Sequence, residues 1–304
     1  MTLAARGSKH VLGVIAETTY GTFPATPALL NMPINTFNPT PSIDILKSAQ
    51  IRAHPFVDQI AQGSFGWDFT LDFELQDANH DILFQSMFAS TIAAKTMKVL
   101  DGYSGISFES QHTDVSLYDQ FSGGIFSKLD VSVGSSDKAP VKVSMTGMAK
   151  TGALDSATSV ATSVTQPTNV VPFVWADSTL NIGAVVRPVT AFSFSLSRKI
   201  DPLYLLGARI FDQPIPSDVT LTGSVTIPLE DALESARFVG FADADLKLKC
   251  ASTDGTKFRQ FESTLVKYTK LGRQVKDRGV ILQEISWEAR YDSTLQTVLT
   301  MTTE

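Results

Sequence analysis

Few residues of this 304-residue chain have the types and spacing that acid–base or metal chemistry needs. His112 and Asp114 could be a base and its orienting carboxylate, but no G-x-S-x-G elbow or other nucleophile signature accompanies them. Asp72 and Glu74 are spaced like paired carboxylates on one strand face, where a polar surface explains them better. The segment 243–245 has two aspartates but lacks the other ligands of a calcium loop.

The remaining reactive residues also lack partners in the sequence. The four histidines have no metal-ligand spacing and no neighbouring cysteine: His10, His54, His80 and His112. Cys250 is the only cysteine, so it cannot form an intrachain disulfide, and we expect it to be a small buried hydrophobe. Neither a P-loop nor a G-x-G-x-x-G after a strand occurs. The sequence therefore predicts a protein without catalytic residues, metal or cofactor.

Composition and charge narrow the function classes further. The hydrophobic fraction of 43% is typical of a globular protein. A net charge of −6 argues against a protein that grips nucleic acid, but not against one that lets nucleic acid pass. The apolar run at residues 11–16 is too short for a signal peptide, and no segment approaches the ~20 apolar residues of a membrane span. We expect a chain that is made and assembled as a soluble protein, without membrane contact.

An internal repeat is the main clue to the elements that position these residues. Residues 65–75 alternate strictly between apolar and polar types, which indicates a strand with one buried face. A shift of 154 residues brings this segment onto residues 219–229, which alternate in the same phase. Weaker matches join residues 30–32 to 180–182 and residues 97–99 to 246–248. Together these matches predict a tandem duplication.

Each repeated strand leads into a segment with helical periodicity. Asp77 is the predicted N-cap of the first helix, and Glu230 and Asp231 place negative charge at the start of the second. The second helix has the more regular apolar spacing, which predicts a buried face made by Leu229, Ala232, Leu233, Ala236 and Val239.

These patterns predict a mainly β protein of two domains. The first covers residues 1–153, a linker rich in Ser, Thr and Ala covers 154–169, and the second covers 170–304. We expect each domain to be a β-sandwich or half-open barrel with one flanking α-helix and a long loop.

Two long loops precede the repeated strands, at residues 44–62 and 198–216. Loops of this length are uncommon in compact domains, and apolar loops that cannot bury themselves indicate contact with another subunit. The alternative is a loop folded over its own domain. The candidate contact residues are Ile45, Leu46, Ile51, Arg52, Phe56, Ile60, Leu203, Tyr204, Leu205, Leu206, Arg209 and Ile210.

The N-terminal string at residues 17–27, Glu-Thr-Thr-Tyr-Gly-Thr-Phe-Pro-Ala-Thr-Pro, resembles the start of major tail tube proteins of long, non-contractile-tailed bacteriophages. A polar stretch at residues 48–52, Gly63 and the strand and helix of residues 65–88 continue the resemblance, which covers roughly residues 14–90.

The resemblance implies a structural subunit whose rings stack into a tube around a lumen through which DNA passes to the host. It implies that the N-terminal arm, with Glu17, Tyr20, Pro24 and Pro27, and the long loops contact neighbouring rings. It also implies assembly in the host cytoplasm, and contact with the tape measure, tail terminator and tip proteins. Because the chain is duplicated, we expect three chains per pseudo-sixfold ring, with a hexamer as the alternative. The rival function is a carbohydrate-binding or adhesin-like β-sandwich of a virion or cell surface.

Overall fold

The computed structural model describes residues 5–47, 60–77, 79–135, 138–168, 171–275 and 279–304. The elements up to the middle of the chain are β1 (His10–Ala16), β2 (Ala28–Asn31), β3 (Thr36–Lys47), β4 (Ile60–Glu74), α1 (Asp81–Phe88), β5 (Thr96–Lys98), β6 (Ile106–His112), β7 (Leu117–Gly134), β8 (Lys142–Ala149), β9 (Thr151–Ser156) and β10 (Ser163–Thr165). The remaining elements are β11 (Ser178–Ile182), β12 (Val185–Arg187), β13 (Ala191–Leu203), β14 (Gln213–Pro228), α2 (Leu233–Val239), β15 (Ala244–Ala251), β16 (Phe258–Gln274), β17 (Leu282–Ala289) and β18 (Thr300–Thr303).

Eight of these strands form one continuous antiparallel sheet, in the order β3-β4-β8-β7-β13-β14-β17-β16. The two halves of the chain meet in its middle, where β7 pairs with β13. The predicted strands at 65–75 and 219–229 are confirmed as parts of β4 and β14, whose buried residues alternate with polar ones. The mainly β, sandwich-like architecture is likewise confirmed.

A second layer of strands packs over one face of this sheet. In the first half β1 pairs with β2 and β6, and β6 pairs with β7. In the second half β11 pairs with β12 and β15, and β15 pairs with β16. Side chains between the layers form the core because alternate residues of each strand point to one face. The core includes Phe69, Leu71, Phe108, Leu129, Phe194, Leu221, Leu248 and Ile285.

The strand pairing shows that two of the weaker sequence matches join strands that do not correspond to each other. Residues 180–182 lie on β11, whose pairings correspond to those of β1 and not to those of residues 30–32. Residues 246–248 lie on β15, which corresponds to β6 and not to residues 97–99. Triplets of an apolar, a polar and an apolar residue occur by chance in any β-rich chain, and these matches joined strands that do not correspond, although the order of elements repeats.

The segment predicted to be a linker carries strand structure. β9 (Thr151–Ser156) pairs with β7, and β10 (Ser163–Thr165) pairs in parallel with β2. The amide and hydroxyl of Thr162 both donate to the carbonyl of Pro27. The segment therefore has strand structure that its composition does not predict, because long-range pairing gives it a place in the sheet, while its residues stay exposed or half-buried.

Both helices differ from their predicted form. α1 begins at Asp81 after His80, so Asp77 is not its N-cap, and its Leu83, Phe84 and Phe88 are fully buried. In α2 the predicted apolar face was wrong because Leu233 and Val239 are exposed. Asp231 does accept a hydrogen bond from the Leu233 amide at the start of that helix.

A buried ion cluster explains the orientation of α2. The Glu234 carboxylate, 2% exposed, accepts hydrogen bonds from Arg187, Arg237 and the hydroxyl of Tyr268. A carboxylate is buried without a large cost only where donors satisfy it, and these three donors hold Glu234 on the inward side of α2. Among the described residues, no helix is long and apolar enough to span a membrane.

Candidate functional site

One face of the eight-stranded sheet is polar along all the strands that form it. It is rich in hydroxyl side chains, which come from β8, β13, β14 and β17: Ser144, Thr146, Ser193, Ser195, Ser197, Thr222, Ser224, Thr226 and Ser286. We call this surface the polar face. A groove of about 340 Å³ crosses it, where β7 and β13 from the two halves meet β14 and β17.

The charges on the polar face are predominantly negative. Its central carboxylates are Asp68, Asp72, Glu74, Asp130, Glu284 and Glu288, and its lysines are Lys128, Lys142, Lys267 and Lys270. Lys128 lies 2.8 Å from Asp130, which neutralises it locally. The hydroxyls of Thr36 and Ser144 both donate to Asp72. Such a surface offers little to a phosphate backbone, since nucleic-acid binding depends on unpaired basic groups.

The N-terminal string is tied to its own half of the chain. The Glu17 carboxylate accepts hydrogen bonds from the amide of Gly21 (2.7 Å), the amide of Gly123 (2.6 Å) and the hydroxyl of Ser107 (2.6 Å). Gly21 has a φ of +74°, which favours glycine there. A Glu followed four residues later by Gly thus closes a tight turn and fastens it to β6 and β7.

Tyr20 completes this anchor. Its hydroxyl donates to the carbonyl of Gly123 at 3.0 Å, and its ring packs edge-on against Tyr103. Burial, with the nearby Glu17, raises the pKa of the Tyr20 hydroxyl well above its ordinary value. Pro24 is half-buried, and Pro27 is buried. The predicted contacts of these residues with neighbouring rings stay a prediction.

The described ends of the two predicted loops are the arms of long hairpins. In the first, residues 45–47 of β3 pair with residues 60–62 of β4, so strand structure replaces the predicted loop there. Ile45, Leu46 and Ile60 are all more than half exposed. The candidates Ile51, Arg52 and Phe56 lie outside the described residues.

The second hairpin reaches back to the first half of the chain. Residues 200–203 of β13 pair with residues 213–216 of β14, again in place of a predicted loop. The Arg209 side chain donates to Gln62 at 3.1 Å, and its carbonyl accepts from the amide of Phe65. Lys150 donates to the carbonyl of Asp212 at 2.7 Å. Leu203, Tyr204, Leu205 and Leu206 are exposed at the tip, and Ile210 is half-buried.

The eight-stranded sheet ends in two strand edges without a neighbour among the described residues beside their central parts. One is the outer edge of β3, which carries Pro39 and Pro41, and the other is the outer edge of β16 around residues 270–274. Free strand edges promote pairing between chains unless something blunts them, and proline is one such device. Neither edge was predicted from the sequence, although the two prolines in an alternating segment are a usable signal.

His112 and Asp114, which the sequence places near each other, do not contact each other in the structure. His112 approaches Asp119 at 3.2 Å and not Asp114, which pairs with Arg6 instead. No group of three His, Cys, Asp or Glu side chains suited to a metal exists within the described ranges. Cys250 is fully buried, and burial raises the pKa of its thiol to about 12.

Comparison with known proteins gives one extensive match. A family model described as phage tail tube protein matches residues 7–289. Among solved structures, a chain from the cryo-EM structure of the anti-feeding prophage cap, described as the AFP tube terminating cap, is 12% identical with a TM-score of 0.35. That match covers 45% of this chain and 95% of the other. No curated protein sequence matches the chain.

Proposed function

Because the chain belongs to the phage tail tube protein family, we propose that it is the ring-forming tube subunit of a long, non-contractile tail, around a lumen through which DNA passes to the host. Membership of the family makes it a structural component of the virion tail that self-assembles into a tube with other tail components. We further propose that the subunit assembles in the host cytoplasm and meets the tape measure, terminator and tip proteins.

The polar face is the observation that carries the proposed passage of DNA. DNA slides through a tube only if the wall does not bind it, and a hydroxyl-rich wall with excess carboxylates repels the phosphate backbone weakly along its whole length. Lys128 is paired with Asp130 on this face, which limits the counterion release that drives DNA binding. We assign the polar face to the lumen on these grounds.

The repeated topology supports three chains per ring. The pairings β1–β2, β1–β6, β6–β7, β7–β8, β8–β4 and β4–β3 recur in order as β11–β12, β11–β15, β15–β16, β16–β17, β17–β14 and β14–β13. Register shifts recur too: between Ile43 and Ile45 in β3, and between Arg198 and Ile200 in β13. Two domains of one kind per chain would give a sixfold-like ring from three chains.

Complementary packing adds to the case for two domains of common origin. In the first half Phe69 on β4 lies opposite Gly147 on β8. At the corresponding pair of the second half, Gly223 on β14 lies opposite Trp287 on β17. The large and the small residue have exchanged strands, which keeps the local volume. We propose the domains at residues 1–153 and 170–304, with the intervening strands packed on the first.

Electron microscopy with native mass measurement tests the proposal. We expect rings of three chains that stack into tubes; six chains per ring would support the hexamer, and a chain that stays monomeric at high concentration would overturn the tube. Ser195→Lys with Thr222→Lys tests the lumen, because short duplex DNA should then be retained and protected from nuclease inside the tubes. The control is Val186→Lys, at a residue 64% exposed on β12. Equal protection in both would show that the polar face is not the lumen.

A further inference from the structure

We infer that the free edge of β16 pairs with the free edge of β3 of a second copy of this chain, in the register that joins β7 to β13 within one chain. This inference rests on the proposed function, and it names the strands, the register and the hydrogen bonds of the contact between subunits. The internal junction of β7 and β13 is its template, with Asp130 opposite Ser195 and Leu129 opposite Leu196.

The repeated irregularities transfer this register without ambiguity. β7 shifts register against β8 between Phe126 and Lys128, and β16 does so against β17 between Tyr268 and Lys270. Lys270 is therefore the counterpart of Lys128, and residue 272 of residue 130. The shifts in β3 and β13 likewise make Thr40 the counterpart of Ser195. The internal pair of Asp130 with Ser195 becomes Gly272 with Thr40 of the other copy.

Backbone directions show that both edges point their hydrogen-bonding groups outward at the required positions. The Leu75 amide donates to the Val141 carbonyl, so odd-numbered residues of β4 face β8 and even-numbered ones face β3. Asp72 opposite Thr36 then places the odd-numbered residues of β3, including Pro39 and Pro41, at the free edge.

The outer edge of β16 also points backbone hydrogen-bonding groups away from the sheet. The Leu229 amide donates to the Ile281 carbonyl, which continues the ladder between β14 and β17, and even-numbered residues of β17 face β16. Since Gly272 lies opposite Glu284, Leu271 and Arg273 turn their backbone groups to the free edge of β16.

Because of the prolines, the hydrogen bonds across this junction run in one direction only, from β16 to β3. In the transferred register Leu271 lies opposite Pro41 and Arg273 opposite Pro39 of the other copy. Proline has no N–H, so the amides of Leu271 and Arg273 donate to the two proline carbonyls and receive nothing in return. An edge that only accepts at these positions is a poor template for indiscriminate strand pairing, yet it still fits a partner that supplies the donors.

Burial supports the same contact. Leu129 and Val131 of β7 are buried beneath the internal junction, whereas Arg273, at the position of Val131, is exposed. On the helical side, α1 is covered by the second half, where Phe261 lies 6.1 Å from the ring of Phe84. In the second half, Val239 at the end of α2 is 84% exposed. The second half thus covers β7 and α1 of the first half, whereas the corresponding surfaces of its own β16 and α2 stay exposed.

Disulfide trapping tests the register. Asp130→Cys with Ser195→Cys should close within one chain, because facing residues of this kind have Cα atoms about 4.5 Å apart. Thr40→Cys with Gly272→Cys should link separate chains at the same spacing, and a methylene at residue 272 meets only ordinary contact with the Glu284 carbonyl, at 3.9 Å. Buried Cys250 can stay, since its thiol is not accessible.

The off-register pair Thr40→Cys with Lys270→Cys is the matched control, and its link should be lost because the two Cα atoms lie more than about 7 Å apart. Covalent species of up to three chains from the Thr40 and Gly272 pair alone would support the inference. Assembled rings that carry no such link, or that link equally in the control, would overturn the register while leaving the tube intact. Absence of any ring in all variants, with the internal Asp130 and Ser195 link formed, would overturn both.

Discussion

Restoring the missing N–H groups at the β3 edge should strengthen assembly while weakening the single chain. Pro39→Thr with Pro41→Thr adds two donors opposite the carbonyls of Arg273 and Leu271 of a neighbouring copy. A net contribution of about 1 kcal/mol per hydrogen bond gives about 2 kcal/mol per junction. That corresponds to roughly a 30-fold rise in the association constant of each junction.

The unfolding free energy of the isolated chain should fall in the same double variant. Each proline restricts the unfolded chain, so its removal costs about 0.4–1 kcal/mol of unfolding free energy. The opposite signs separate an effect on the edge from a general gain in folding. Stronger pairing at an unblunted edge should also produce irregular aggregates beside the rings, because the edge then accepts any strand.

Sedimentation across a concentration series measures the critical concentration for assembly, and urea unfolding of dilute protein measures the unfolding free energy of the single chain. Thr40→Val, between the two prolines, is the control, because the Thr40 amide faces β4 and not the free edge. A critical concentration that stays the same or rises in a folded double variant would refute the assignment of these prolines to the junction.

Three further predictions concern the stability of the chain. Glu17→Ala removes the acceptor of two amides and a hydroxyl, so urea unfolding should show a loss of about 1–3 kcal/mol; Thr18→Ala, at an exposed neighbour, should change little, and equal losses would contradict the anchor. Gly223→Ala brings a methyl to 2.4 Å from the Ser193 carbonyl and 2.3 Å from the Trp287 ring, which should cost about 1–3 kcal/mol; no loss of unfolding free energy would show that the strands yield. Burial lowers the pKa of His80 from 6.5 to about 4 in the fold, so the unfolded chain binds the proton more tightly, and the stability present above pH 6.5 should fall by about 3 kcal/mol as the pH drops to 4. His80→Gln should flatten that part of a urea series over pH, and an unchanged slope would show that another group titrates.

The sequence predicted the sheet well because strict alternation over eleven residues has one structural meaning. It failed for α2 because the periodicity of Leu233 and Val239 says nothing of a carboxylate whose three donors include two that are distant in the chain. Arg187, Glu234 and Tyr268 are far apart in the chain, and only folding unites them. A helix of seven residues has little apolar surface to set against such a cluster.

The strand structure in the predicted loops and linker was not predicted either, because it depends on pairing between distant parts of the chain. The segment 198–216 contains three prolines and several charges, which favour a loop, yet its ends pair as a hairpin because the tip packs on the first half. Segment 163–165 gains strand structure only through β2, more than a hundred residues earlier. The polar face could have been predicted from the sequence, because residues 193–197 alternate between serine and large apolar residues.

The two halves resemble each other in topology but differ in how they are covered, and this difference bears on assembly. Within one chain the first half has a paired β7 and a covered α1, and the second half has an unpaired β16 edge and a partly exposed α2. The first half, in turn, pairs β3 with β4 on one side only and leaves its outer edge without a partner among the described residues. The two free edges of the sheet differ but are complementary, so both can be paired only if one edge of a chain contacts the other edge of the next chain. Such a heterologous contact closes into a ring when the rotation between halves is a whole fraction of a full turn. The contact between β7 and β13 already shows one such step, so its repetition between chains needs no new type of interface.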